Sequence, residues 1–232
     1  MAPIALLLGA GPNIGASTAK EFSSSGYQVV VTSRKAPADA NPSYSYVQGD
    51  LSQPESVENI FSHVRKLHGE PSVVVYNAAG FSLAAADNPF EVDLATFEEH
   101  LNLNTTSVFL AIKQALKSFE TLPASSARTF IYTGNAMNFA PFPGRMTLGT
   151  GKSATAHMIA SAAQAYGPKG YKFYYADERQ PNGKLGGRGI SGEAHAKLFK
   201  QLAEDEAQGP WLQTFVSGKG YVKFAADTDV TL

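Results

Sequence analysis

Leu8-Gly9-Ala10-Gly11-Pro12-Asn13-Ile14-Gly15 decides the fold. The apolar run Ile4-Ala5-Leu6-Leu7-Leu8 precedes it and reads as a buried strand. After it, Asn13 to Ser25 carries an apolar stripe at Ala16, Ala19 and Phe22, stopped by Gly26, which is a helix. A glycine-rich turn between strand and helix lets backbone amides approach an anion closely. The helix then directs its positive N-terminus at that anion. The turn is thus a candidate cradle for a dinucleotide's diphosphate, built on Gly9, Gly11, Asn13, Ile14 and Gly15; the alternative is a tight turn without a ligand.

Outward from this turn the chain alternates. Strands are expected at Gln28–Thr32, Tyr44–Val47, Ser72–Tyr76, Arg128–Thr133, Tyr171–Tyr175 and Trp211–Val216. Helices are expected at Pro54–Leu67 (capped by Ser52), Leu94–Leu122, Leu148–Tyr166 and Ser191–Ala207, and a loop at Lys35–Ser43. Val29-Val30-Val31 and Val73-Val74-Val75 are β-branched runs suited to strands buried on both faces. Alternation implies parallel strands joined by right-handed crossovers. The expected architecture is α/β: a Rossmann-type, doubly wound parallel sheet in three layers, one domain over residues 1–232. Such sheets bind ligands beyond the C-terminal ends of their strands.

Composition narrows the function. With 232 residues and 44% hydrophobic content the chain can bury a core. A formal net charge of −1, with no block of like charge, disfavours nucleic acid and anionic membrane surfaces. The absence of cysteine excludes disulfides, thiolate nucleophiles and cysteine metal sites. The five histidines lack metal-ligand spacing, so no metal site is expected. No targeting segment or membrane-length apolar run is visible, so the expected location is the cytoplasm.

The strand ends carry the remaining signals. Ser33-Arg34-Lys35 follows the second strand where an acidic residue would bind a ribose 2′-hydroxyl. Arg34 offers a bidentate fork and Ser33 a hydroxyl for a 2′-phosphate, favouring NADP(H) over NAD(H). Gly49-Asp50-Leu51 follows the third strand and Asn77-Ala78-Ala79-Gly80 the fourth.

Together these elements resemble the short-chain dehydrogenase/reductase family, over roughly residues 4 to 175. The family's turn is Gly-x-x-x-Gly-x-Gly; Gly9 and Gly15 fit its ends and Asn13 replaces its middle glycine. The Asn77-Ala78-Ala79-Gly80 run resembles the family's Asn-Ala-Gly element beside the cofactor. The resemblance implies that Asp50, with Leu51, contacts the adenine. It implies that Asn104 holds a water in a proton relay, that Lys152 binds the ribose and lowers the pKa of a tyrosine, and that a serine holds the substrate oxygen. The tyrosine position, four residues before Lys152, is Leu148. The serine position falls on Asn135, with Thr133 as a substitute hydroxyl. Thr147, Thr150, Tyr132, Arg145, His157 and Asp177 are further candidates, and nothing in spacing selects one. Trp211 and Phe215 read as packing residues. A glycine-rich stretch from Gln180 to Ile190 suggests a lid within a variable region of about 177–210. Relatives associate through the two long helices as homodimers or homotetramers.

The resulting expectation is an NADP(H)-dependent reductase acting on a small carbonyl, imine or enone with an atypical proton donor. The alternative is an altered protein of this fold that binds a ligand, serves as a scaffold, or catalyses a redox-neutral cyclisation or isomerisation.

Overall fold

The valine runs lie where burial on both faces demands. Val29, Val30, Val73 and Val74 are fully buried in the middle of one sheet. In a computed structural model, residues 2–36 and 41–224 are described; residues 37–40 of the expected Lys35–Ser43 loop lie outside them. The strands are β1 (Ile4–Leu8), β2 (Gln28–Ser33), β3 (Tyr44–Gln48), β4 (Val73–Tyr76), β5 (Thr129–Thr133), β6 (Lys172–Glu178), β7 (Leu212–Val216) and β8 (Gly220–Tyr221). Their spatial order is β3-β2-β1-β4-β5-β6-β7-β8. Strands β1 to β7 pair in parallel. The order reverses at β1, which places a crevice beyond the ends of β1 and β4.

Helices cover both faces. On one, α2 (Glu55–Leu67), α4 (Ser107–Thr121) and α5 (Met146–Tyr166) enclose a core that includes Phe61, Phe119, Phe130 and Phe173. On the other, α1 (Ile14–Ser24) and α6 (Gly192–Glu204) cover Phe22, Phe199 and Phe215. Helix α3 (Leu94–Leu101) leads into α4 through a π-helical turn, Asn102–Thr106. The expected unbroken helix over Leu94–Leu122 thus contains a wider turn, a feature frequent at functional sites.

Two expectations need correction. Ser52 does not cap α2; its amide and hydroxyl both donate to Asp50 Oδ1, and Pro54 holds the cap position without a side-chain bond. The sixth strand runs three residues beyond Tyr175, so Asp177 and Glu178 sit in the sheet rather than in a variable loop. Beyond the parallel strands the sheet ends in a short antiparallel pair, β7 with β8. The glycine-rich stretch is bonded within itself: Arg179 Nη1 donates to Gly183 O, and Gln180 to Lys184 O and Leu185 O.

Candidate active site

The cradle is shaped by two glycines that admit no substitute. Gly9 has φ of +106°, and a Cβ there would lie 2.5 Å from Ala78 N. At Gly15 a Cβ would come within 2.9 Å of the Ala10 backbone and Gly9 O. Gly11, by contrast, faces open space: a Cβ there would meet nothing within 4 Å. The turn therefore packs tightly against β4 while leaving room on its outer side for a ligand. Asn77 fastens it by donating from Nδ2 to Gly9 O at 2.9 Å. Ile14 is buried at the start of α1. Asn13 faces the other way: its side chain bonds Ile190 O and the Gly192 amide.

Arg34 is exposed at the end of β2, and its guanidinium makes no hydrogen bond or ion pair with the described residues. The Ser33 hydroxyl donates to Lys35 O. Asp50 is partly buried and occupied by Ser52. Leu51 is core, and its carbonyl accepts from Ser107 Oγ at 2.6 Å. Ala78 and Ala79 flank the turn that ends at Gly80.

Asn104 sits in the π turn and is fully buried. Its carboxamide clamps Gly80: Gly80 N donates to Oδ1 at 3.1 Å, and Nδ2 donates to Gly80 O at 2.7 Å. Its backbone carbonyl accepts from Thr155 Oγ1 at 2.6 Å. Gly151 lets α5 press against it, since a Cβ there would lie 2.5 Å from Asn104 Cβ.

Lys152 reaches from α5 to the end of β5. It is 3% exposed, and Nζ donates to Thr133 O at 2.7 Å. Tyr132 lies beneath it, with the ammonium 4.3 Å from the ring centroid. Burial lowers the ammonium pKa from its ordinary value to about 7, while the Asp177 carboxylate works to raise it. Thr133 Oγ1 is buried and has no hydrogen-bond partner, so a polar group is left available beside the lysine. Asn135 turns inward instead: Oδ1 accepts from Met137 N, and its backbone bonds the Tyr175 hydroxyl. Leu148 is buried at the position that the family gives to tyrosine.

The other candidate donors fare differently. Tyr132 is wholly buried, and desolvation raises its pKa strongly. Thr150 bonds back to Met146 O. His157 is exposed. Thr147 pairs with a residue that sequence reasoning does not single out: His100 Nδ1 lies 3.1 Å from Thr147 Oγ1, both buried. Sequence reasoning names Asp177 but misses the buried partners around it at the end of β6. Arg179 donates to Asp177 Oδ2 at 2.6 Å. Glu178 Oε2 accepts from Ser191 N at 2.7 Å and lies 3.2 Å from His195 Nδ1. Their signal is three charged residues directly after Phe173-Tyr174-Tyr175-Ala176. Trp211 and Phe215 do pack inward, Trp211 edge-on to Tyr175.

The site residues thus gather at one edge of the sheet. They can hold a phosphate-bearing cofactor along β1 and β2, and a proton-active amine at β5. Among the described residues no helix is long and apolar enough to cross a membrane.

Comparisons with known proteins agree with this layout. Residues 3–174 match the family model of short chain dehydrogenases. A short chain dehydrogenase/reductase, dmxR12, from Cryptosporiopsis sp. (strain 8999) is 66% identical, covering 99% of this chain and 98% of that protein. Two solved structures share the fold. ElxO with NADP bound has a TM-score of 0.78 at 21% identity, covering 94% of this chain and 98% of that one. The NADH-dependent reductase A1-R′ has a TM-score of 0.77 at 17% identity, covering 94% and 96%.

Proposed function

The chain belongs to the short-chain dehydrogenase/reductase family, and from that premise we propose that it is an NADP(H)-dependent reductase of a carbonyl, imine or enone in which Lys152 replaces the missing tyrosine as proton donor. One observation carries this reading: Lys152 is kept buried at the reacting edge of the sheet. A buried ammonium is costly unless it has a use, and a pure scaffold gains nothing from one. The residues fit a dinucleotide. Gly9, Gly11 and Gly15 form a cradle open on one side, and the unpaired Arg34 offers its fork to a 2′-phosphate. Lys152 and Thr133 Oγ1 would meet the ribose and the substrate.

The reduced nicotinamide, when bound, supplies the hydride. The proton comes from this chain. Lys152 holds it on Nζ against Thr133 O, and an ammonium of pKa about 7 is matched to the task near neutrality. It releases that proton to the substrate atom that gains electron density, then recovers one from solvent. Asn104 acts by position, holding Gly80. Asn135, whose amide oxygen is occupied by Met137, supports the turn rather than polarising the substrate.

In this reading the whole chain, 1–232, is one domain, with the loop between β6 and α6 covering the substrate. It acts in the cytoplasm as a homodimer or homotetramer joined through α4 and α5. ElxO binds NADP, which supports the cofactor choice; A1-R′ is NADH-dependent, which does not. Leu148 favours a second reading: a redox-neutral cyclisation or isomerisation, or ligand binding, over an apolar floor.

Fluorescence titration with NADPH and NADH separately tests the proposal. NADPH is expected to bind at least about tenfold tighter than NADH, and Arg34→Ala to erase that margin, as loss of a charge-assisted fork should. Gly15→Val should weaken both. Equal affinity for both nucleotides, unchanged by Arg34→Ala, would overturn the cofactor assignment. Consumption of NADPH against a panel of imines, enones and ketones then separates the reductase from the redox-neutral reading.

A further inference from the structure

Besides Arg34, a second cation near the site has no counter-group among the described residues. Arg145 lies just before α5, three residues from Leu148. Its guanidinium carbon is 4.6 Å from the Phe81 ring centroid and 5.7 Å from that of Phe142. Its Nε is buried without a partner, and the guanidinium makes no hydrogen bond or ion pair with the described residues. Arg65 and Arg179 are treated differently: Arg65 is held by Glu70, Gln114 and Ser118, and Arg179 by Asp177 and Gly183.

The rings that hold Arg145 are themselves incompletely used. Phe81 is 45% and Phe142 49% exposed, and Leu83 and Phe139 beside them in the chain are also exposed. They are not loose ends. Ala84 N donates to Gly144 O at 3.1 Å, tying the loop after β4 to the loop after β5. Gly80, next to Phe81, is clamped by Asn104. Arg145 N donates to Phe142 O at 2.8 Å. The wall is therefore fixed by backbone bonds, and it belongs to the same sheet edge as Lys152.

We propose that Arg145, Phe81 and Phe142 form the substrate-recognition subsite, and that it takes a flat aromatic molecule carrying a carboxylate or phenolate oxygen. Exposed ring faces stack on a planar conjugated ligand. A guanidinium stacked on aromatic faces keeps its in-plane N–H groups free for an anionic oxygen. This gives the substrate class for the reductase reading above and rests on it only for the chemistry, not for the binding.

Calorimetric titration with three probes tests it: 2-naphthoate, 2-naphthamide (neutral, same ring) and adamantane-1-carboxylate (same charge, no ring face). Naphthoate is expected to bind at least about tenfold tighter than either of the others. Arg145→Gln should remove its advantage over the amide. Phe81→Leu, which keeps bulk without a ring, should remove its advantage over adamantane-carboxylate while the melting temperature holds. Phe109→Ala, at an exposed ring on α4, should change nothing. Equal binding of the three probes, or naphthoate affinity indifferent to both Arg145→Gln and Phe81→Leu, would overturn the proposal. So would conversion of an oligomer to monomer by Phe81→Leu in sedimentation, since the wall would then be a subunit interface. NADPH titration of the same variants separates the two ideas: intact NADPH binding with no naphthoate binding sinks the subsite alone, and the converse sinks the cofactor reading alone.

Discussion

Asn13 Oδ1 accepts a hydrogen bond from the Gly192 amide at 3.0 Å, across 179 residues of chain. Its Nδ2 donates to Ile190 O at 3.1 Å. The residue that replaces the family's middle glycine thus latches the glycine-rich turn to the start of α6. Gly192 has no room for a side chain, because a Cβ would lie 2.5 Å from that same oxygen. Asn13→Ala removes both bonds. At about 1 kcal/mol net for each, the melting temperature should fall by roughly 4 to 8 °C for a chain of this size. Hydrogen exchange around residues 190–195 should accelerate. Unchanged exchange there would show the latch to be idle.

The latch also shows where the sequence stops being readable. Gly9, Gly15 and the valine runs are local: a turn geometry and a burial pattern fix them, and the parallel pairing of the strands follows from alternation. Asn13 reads only as a residue tolerant of unusual backbone geometry, because its partners lie at the far end of the chain. Asp177 and Glu178 escape for a related reason. Three consecutive charges read as a loop, whereas pairing with Arg179 and His195 lets them end a buried strand. The π turn at Asn102–Thr106 leaves no mark in the helical periodicity on either side. Asn104 and Lys152 are legible through the resemblance, yet their hydrogen-bond partners are not.

Asn104→Ala should be among the more damaging single changes. It strips the paired bonds from both backbone groups of Gly80 and opens a cavity at a fully buried position. Unsatisfied buried groups cost about 1–3 kcal/mol each, so urea denaturation should show a loss of about 2–4 kcal/mol. NADPH affinity should drop as well, since the Asn77–Gly80 turn supports Gly9. A loss of affinity without a loss of stability would instead point to direct contact between Asn104 and the ligand.

The Asp177–Arg179 pair gives a test that a surface ion pair would not. Both side chains are almost wholly buried. Breaking such a pair from one side costs about 3–5 kcal/mol, so Arg179→Met should destabilise the chain severely. Arg179→Met combined with Asp177→Asn should lose less than the two single changes added together, because the bond between the two side chains is then counted once. If the double variant is as unstable as the sum of the two singles, the residues act independently and the pair carries no coupling.

Lys152 makes stability rise with pH through neutrality. Its pKa falls from the ordinary lysine value to about 7 on folding, so between pH 7 and about 10 the unfolded chain binds the extra proton. Stability therefore increases with pH across that window, and the full cost of the buried ammonium is felt below pH 7. Lys152→Met removes the cost. The variant should melt higher than the parent at pH 6, with the gain shrinking steadily toward pH 9; Lys172, also lowered to about 8 at the opposite end of the sheet, is common to both proteins and cancels. The same titration governs the proposed proton transfer. Reduction should slow as pH climbs through 7 and the donor empties, while NADPH affinity, set largely by Arg34 and the glycine cradle, should change much less. If the stability gain of Lys152→Met is flat from pH 6 to pH 9, the ammonium is not held at a lowered pKa, and its role as acid goes with it.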